Sequence, residues 1–376
     1  MIIKKVDIWH LNLAFKAPVK HNLATHYGSE NIVVKLTTDA GVTGYGEGIP
    51  RRFVTGEILA ESLAFLKKVL IPEICRLPLL FRPSIYANLA RVGQQLGAAN
   101  YPAIWCAVEM AWLDAASKTC GQPLAEILGF QSQRAAIYSA VLPMASEQQM
   151  ARFFELVKLK KMRFLKLKVG TSTDPELLKS VRQQLGWEID IRVDANAAWS
   201  PPEAMARIEA MAPYRLSAVE QPVAKEDFEG LQRVSAAVAI PIIADESVCT
   251  EEDARRLIEM RACQIFNLRL SKCGGLLSTM RIKKMAEKAG IKCQLGCHVG
   301  ETSILAAAGR HFALTTDHLA YVEGSFAPYL LAKDVVRQPV FFENGGLARA
   351  LPGPGLGIQV EDHILEELAV SRDTID

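Results

Sequence analysis

Between residues 163 and 275, polar residues recur at the ends of short apolar runs, and the interval between them hardly varies. FLKLKV carries Lys166 and Lys168, IDIRV runs into Asp194, LSAV into Glu220, IPIIA into Asp245 and Glu246, and CQIFNLRL leads to Lys272. The steps are 26 residues from Lys168 to Asp194, 26 to Glu220, 25 to Asp245 and 27 to Lys272. Each step contains an amphipathic stretch able to form one helix. A strand, a helix and their loops take about 30 residues, and eight such units in about 250 residues make a barrel. Continuously apolar runs suit parallel strands covered on both faces. The charged residues then fall at the C-terminal ends of the strands, the rim on which such barrels build active sites.

At 376 residues the chain exceeds one ordinary domain, so a second module is expected. Residues 1–15 and 31–47 alternate like strands, TTDAG at 37–41 supplies a hairpin turn, and KHNLATHYGSE between them reads as an exposed loop. EILAESLAFLKKVL, PSIYANLARVGQQL and PAIWCAVEMAWLDAASKTCG show helical spacing, the last ending on a plausible glycine C-cap at Gly121. This is an α+β module over 1–128. The barrel is expected over 129–330, with strands at 135–142, 163–169, 190–194, 217–220, 241–244, 264–270, 291–296 and 319–323. Pro201 and Pro202 open one of its helices, where a missing N–H costs nothing. Residues 331–376, rich in Pro and Gly around ENGGLARALPGPGLG, are expected to leave the barrel and return to the first module.

A formal net charge of +2 without a basic block points away from nucleic acid and membrane surfaces. No stretch approaches the roughly 18 uninterrupted apolar residues of a membrane span. MIIKKVDIW alternates like a strand and lacks a signal-peptide pattern. The eight cysteines contain no C-x-x-C pair and read as free thiols, mostly buried, in a reducing cytosol. A cytoplasmic location is therefore expected.

Asp194, Glu220 and Asp245 come from three successive strands, so they are neighbours on one rim. Strand-end acids also serve as helix caps, but three in register at matching intervals argue for a common site. Three clustered carboxylates repel and are costly to bury, and a divalent cation removes that penalty. Hard oxygen ligands favour Mg²⁺ over zinc, with Mn²⁺ as a substitute. Such an ion could bind a substrate carboxylate and stabilise an enediolate-like intermediate. Lys166 and Lys168 are two apart in a strand and share its inward face. Lys272 approaches from the other side of the acids, so two lysines could move a proton on opposite faces of a substrate. Desolvation beside a cation lowers a lysine pKa toward the range a general base needs.

The motifs in order, GYGEG at 44–48, K-L-K at 166–168, R-V-D-A-N at 192–196, V-E-Q-P at 219–222, A-D-E-S at 244–247 and K-C-G-G at 272–275, resemble the enolase superfamily. The similarity covers nearly the whole chain. Within the mandelate racemase/muconate-lactonising family, it looks like the muconate cycloisomerase subgroup. The resemblance implies an α/β fold, a modified (β/α)7β TIM-type barrel under an N-terminal α+β capping domain whose loop at about 18–30 closes over the ligand. It implies one Mg²⁺ on Asp194, Glu220 and Asp245, an acid/base pair Lys168 and Lys272, Lys166 as the partner that tunes Lys168, and Asn196 and Glu246 beside the metal. It also implies a homo-oligomer, with which the apolar helix at 101–120 is compatible. The mandelate racemase subgroup instead uses a His–Asp base from the sixth and seventh strands; here a lysine stands at 272, although His298 lies near the seventh.

The substrate reading rests on two further places. KHNLATHYG at 20–28 is similar to the lid of muconate cycloisomerases and puts His21, His26 and Tyr27 forward as substrate contacts. YVEGSFAP at 321–328 closes the eighth strand. Dipeptide epimerases carry Asp-x-Asp there to hold a substrate ammonium, and those positions fall on Gly324 and Phe326. Cycloisomerases carry a Glu and an aromatic, for which Glu323, one residue displaced, and Phe326 are the candidates. His298 completes the proposed contacts. The expected partner is a small carboxylate substrate. Muconate-type cycloisomerisation leads, with racemisation or epimerisation of an N-acyl amino acid or dipeptide, or o-succinylbenzoate synthesis, as alternatives. A non-catalytic relative is disfavoured by the intact lysines and acids.

Overall fold

Two sheets divide the molecule, which is known from a computed structural model describing residues 2–21, 24–77, 83–128, 135–143 and 146–376. In the first sheet, β1 (Ile3–His21), β2 (Ala24–Thr38) and β3 (Thr43–Gly48) form an antiparallel meander. The alternation read over 1–15 and 31–47 is there, but the ribbon runs further than expected. Val19 pairs with His26 and Lys20 with Thr25, so most of the stretch expected as a loop is a hairpin arm, bulged between Ala14 and Val19. Backbone pairing satisfies its polar groups, and a bulge bends such an arm without ending it.

The glycines of GYGEG have a packing reason. A Cβ at Gly46 or Gly48 would lie 1.9 Å from the carbonyl oxygen of Ala107 or Ala103 on the buried helix Pro102–Thr119. Only glycine lets the strand and that helix approach so closely. The helix ends at Thr119, with Gly121 left-handed just beyond it, as its C-cap reading requires.

The second sheet carries the periodic motifs. After β4 (Ala135–Ile137), it consists of seven parallel strands: β5 (Ala140–Leu142), β6 (Phe164–Lys168), β7 (Asp190–Asp194), β8 (Ala218–Glu220), β9 (Ile242–Ala244), β10 (Ile265–Leu268) and β11 (Lys292–Leu295). The single strand expected over 135–142 is two. β4 pairs instead with β12 (Leu347–Arg349), and the chain shifts to the barrel at Tyr138–Ser139. The eighth position, expected over 319–323, is filled without a regular strand. Val322 bridges Leu295, and its carbonyl accepts the Ser139 N–H, so single contacts close the ring. Outside the ring run the expected helices, among them Pro201–Met211 and Glu251–Met260, the latter started by a Thr250–Asp253 capping box.

The C-terminal chain runs back across the first sheet. Gly355 exchanges backbone bonds with Gln122 and Leu124, and β13 (Ala369–Ile375) pairs antiparallel with β1. No helix among the described residues is long and apolar enough to cross a membrane. The eight cysteines are free; Cys120 alone is exposed, the others being buried or partly buried.

Candidate active site

In β6, Leu165 and Leu167 are fully buried on one face, and Lys166 and Lys168 project from the other. Register places Lys168 beside Asp194 and Asp194 beside Glu220. Asp245 follows β9, where the Gln221 carbonyl oxygen Oε1 accepts the N–H groups of Asp245 and Ser247. Gln221 holds φ at 37°, and Asn196 and Ala197 are also left-handed. Such backbone costs on the order of 1–3 kcal/mol per residue and is kept where packing over-determines it, as beside a reactive site.

The three acids converge. One carboxylate oxygen from each of Asp194, Glu220 and Asp245 lies within 4.8 Å of the other two, and all three residues are buried. Mutual repulsion is not left uncompensated, as the sequence alone suggests; basic side chains surround the cluster. Lys168 Nζ donates to Asp194 Oδ2 and Asn196 Oδ1, both at 2.7 Å. Lys166 Nζ donates to Glu220 Oε1 at 2.7 Å and lies 3.0 Å from Asp194. Lys272 Nζ lies 2.9 Å from Asp245 Oδ1, and the Arg269 guanidinium pairs with Asp245 Oδ2. From the barrel interior, Asn267 and Gln294 donate to the two oxygens of Glu220 at 2.9 and 2.8 Å.

The electrostatics follow from these contacts. Burial would lower the Lys166 pKa, but Asp194, Glu220 and Glu323 outweigh it and raise it. Burial pushes the Glu220 carboxyl up against the pull of Lys166. Against its own burial, Asp194 is held well below the carboxylate range by Lys166 and Lys168. Lys272, sealed from solvent, is lowered chiefly by burial.

Above the acids lies a cavity of about 280 Å³ between the two modules. Lys166, Lys168, Asn196 and Glu246 line its polar floor. Asn196 Nδ2 donates to Glu246 Oε1 at 3.4 Å, while Glu246 Oε2 is buried without a partner among the described residues. Lys272 does not reach the cavity; its ammonium donates to the Asp245 and Asn267 carbonyls as well as to the Asp245 side chain. His26, His298, Glu323 and Phe326 line the walls, as their sequence positions suggest. Tyr27 does not: it is 72% exposed and outside the cavity, because neighbours on a strand point to opposite faces. The His21 side chain lies outside the described residues. Glu323 is engaged by Lys166 and by Arg192 Nη2 at 2.6 Å, which hold its carboxyl down near 2 against burial. Sequence reading missed Gln221, Asn267 and Gln294 beneath the acids and Arg51, Arg269 and Glu301 in the cavity wall. The polar side chains of N-L-R-L and K-C-Q-L, two residues inside apolar strands, were the available signal for Asn267, Arg269 and Gln294.

A barrel-rim acid triad flanked by lysines, under an α+β cap, decides the family, and comparison with known proteins agrees. Residues 3–129 match the mandelate racemase/muconate lactonizing enzyme N-terminal domain, and residues 148–364 match the enolase C-terminal domain-like family. The chain belongs to the mandelate racemase/muconate lactonizing enzyme family of the enolase superfamily. It is an isomerase of that superfamily. It is 32% identical over 365 residues to the L-Ala-D/L-Glu epimerase of Bacillus subtilis, covering 95% of this chain and 97% of that one. It is 28% identical over 387 residues to the N-succinyl-L-Arg/Lys racemase of Bacillus cereus, covering 99% and 100%. Muconate cycloisomerase 1 of Rhodococcus opacus is 28% identical over 365 residues, covering 95% and 96%. The crystal structure of the Bacillus cereus racemase superposes with a TM-score of 0.91 at 27% identity over the full length of both chains. A dipeptide epimerase from Cytophaga hutchinsonii, solved with Mg and D-Ala-L-Val, superposes at 0.90 with 27% identity, again over both full chains.

Within this family the acid triad fits a hard divalent cation: all three ligand groups are carboxylates, buried and converging. His298 does not reproduce the His–Asp base of mandelate racemase, since among the described residues neither ring nitrogen has a hydrogen-bond partner and the Glu301 carboxylate is 3.9 Å away.

Proposed function

We propose that this isomerase inverts the α-carbon of an N-acylated amino acid rather than lactonising a muconate. The arrangement of Lys168 and Lys272 carries the reading: they bracket the acid cluster, one on Asp194 and the other on Asp245, with Glu220 between. Two lysines on opposite flanks are what removal of a proton from one face and its return to the other requires. Asp194, Glu220 and Asp245 would hold Mg²⁺, which when bound supplies charge stabilisation for the substrate carboxylate as the α-proton leaves. Lys168, at the cavity surface, is positioned to take the proton on its side. Lys272 serves the other face and must first release its contacts to Asp245.

One observation supports inversion over cycloisomerisation, and a second favours an acylated over a free amine in the substrate. Epimerases and racemases stand at least as close to this chain as the cycloisomerase does. The cavity also has no free acid for a substrate ammonium at the end of the eighth strand: Gly324 and Phe326 occupy the places of an Asp-x-Asp pair, and Glu323 is bound by Lys166 and Arg192. An acylated nitrogen needs no such partner.

The test is Lys272→Ala with N-acyl amino acids in D₂O. Inversion should stop while the α-proton of a single enantiomer still exchanges through Lys168. Slow, stereospecific lactone formation from muconate with one deuterium incorporated would select cycloisomerisation instead. Wild-type rates of inversion would remove Lys272 from the reaction.

A further inference from the structure

His298 is the least satisfied polar side chain in the cavity wall. It is 4% exposed, yet neither Nδ1 nor Nε2 has a hydrogen-bond partner among the described residues. Leaving a buried polar group unmet is destabilising, so a wall that keeps one facing a cavity is built for something that enters it.

The segment carrying His298 is held from the capping side. Arg51 Nη2 donates to the Val299 carbonyl at 3.1 Å and to Ser29 Oγ at 2.8 Å, and Asn31 Nδ2 donates to the Gly300 carbonyl at 2.8 Å. Gly300 sits at φ 93°, and a Cβ there would lie 2.3 Å from the Ser29 side chain. The chain thus turns at a glycine pressed against the cap, with His298 two residues before it on the cavity wall.

The charge around His298 is one-sided. Arg51 and Arg269 line the same cavity, and Arg269 Nε is buried without a hydrogen-bond partner among the described residues. Burial, then Arg269, Arg51 and Lys272, hold the imidazole well below its ordinary pKa, so it is neutral and offers one N–H donor. Asp245 pairs with Arg269, but no carboxylate among the described residues forms an ion pair with Arg51. Glu323 is committed to Lys166 and Arg192, and burial pushes Glu301 up to about 8, leaving it largely uncharged at neutral pH.

We infer that Arg51 and His298 form a subsite for a second carboxylate of the substrate, remote from the one at the acid triad. This rests on the α-carbon inversion proposed above and specifies the substrate further. The carboxylate could end the N-acyl group or the amino-acid side chain; both present the same oxygens to a guanidinium and an imidazole N–H.

Three substrates separate these sources: N-succinyl-L-leucine, N-acetyl-L-glutamate and N-acetyl-L-leucine, followed by α-proton exchange in D₂O with magnesium present. One of the two diacids should exceed N-acetyl-L-leucine in kcat/KM by roughly 10–100-fold, the range of a hydrogen bond to a charged group, and which one does so identifies the source. His298→Leu should raise KM for that diacid by a similar factor with little change in kcat, and His298→Gln, which keeps a donor, should recover part of the loss. Equal use of all three substrates by the wild type, or an unchanged KM in His298→Leu, overturns the subsite. If the wild type exchanges none of them, the inversion reading fails, and the subsite is decided by calorimetry with glutarate on the magnesium-loaded protein. A Kd at least tenfold weaker in His298→Leu supports it; an equal Kd, or no binding at millimolar glutarate, overturns it.

Discussion

The two sides of the cavity are built on opposite principles. On the floor, Asp194, Glu220 and Asp245 meet Lys166, Lys168, Lys272 and Arg269 at contact distance, and Asn267 and Gln294 fill the remaining acceptor sites of Glu220. On the wall, His298 and the Nε of Arg269 are buried without hydrogen-bond partners among the described residues. Although Glu246 Oε2, Asn267 Oδ1 and Gln294 Oε1 lack hydrogen-bond partners among the described residues, the floor pairs its charges from within, and such a network is pre-organised for chemistry common to many substrates, since its charges are fixed before anything binds. A wall with polar atoms left unmet discriminates, because a ligand lacking the matching group leaves them unpaired. The contrast places reaction type on the floor and substrate choice on the wall.

The largest effect should come from breaking the floor at the oxygens proposed to bind the metal. Asp245→Asn is expected to abolish calorimetric Mg²⁺ binding and to lower turnover by at least the roughly 10²–10³-fold of a lost electrostatic contact. One Mg²⁺ bound with wild-type affinity would break the assignment of the triad. Asparagine is the sharper substitution here, since alanine would strip Lys272 and Arg269 of their shared partner while both are buried.

Next in size is the floor's own stability. Lys166→Met removes the cation shared by Asp194, Glu220 and Glu323. Leaving buried charges uncompensated should cost about 3–5 kcal/mol in urea unfolding without metal. Added Mg²⁺ should stabilise this variant more than the wild type, because the ion replaces the missing positive charge. Equal stabilisation of the two proteins would show that Lys166 and the ion do not act on the same acids.

The smallest effect sharpens the wall. Glu301, facing Glu47, Glu323 and Arg269 and accepting the backbone N–H of His298, is raised to about 8 by burial. Below that pH it is neutral; above it, it adds a negative charge beside the proposed anion subsite. The Kd for glutarate should therefore weaken by roughly 3–10-fold between pH 7 and 9, and Glu301→Gln should flatten the curve. A pH dependence that persists in that variant would assign it to another group.

Much of the floor was legible in the amino-acid order, for a local reason. A strand alternates its faces every residue, so Lys166 and Lys168 had to share one, and a step of 25–27 residues returns the chain to the same rim after each helix. The extended hairpin through Val19 and His26 was not legible, because its polar, glycine-containing sequence reads as a loop until pairing with the facing strand satisfies it. Likewise the lysines flanking the three acids were legible, but the pairing of Arg269 with Asp245 was not.

What the sequence by itself determined is therefore the barrel, the order of its strands and the convergence of Asp194, Glu220 and Asp245, all set by periods that a single segment carries. Only the tertiary structure decided what each charge faces. Arg51 meets Val299 across 248 residues of chain, Lys272 is turned away from the cavity onto Asp245, Glu323 is spent on Lys166 and Arg192, and the His298 ring is buried without a hydrogen-bond partner among the described residues. Burial and long-range pairing set the charge and availability of these groups, and neither is a property of any stretch of sequence read alone.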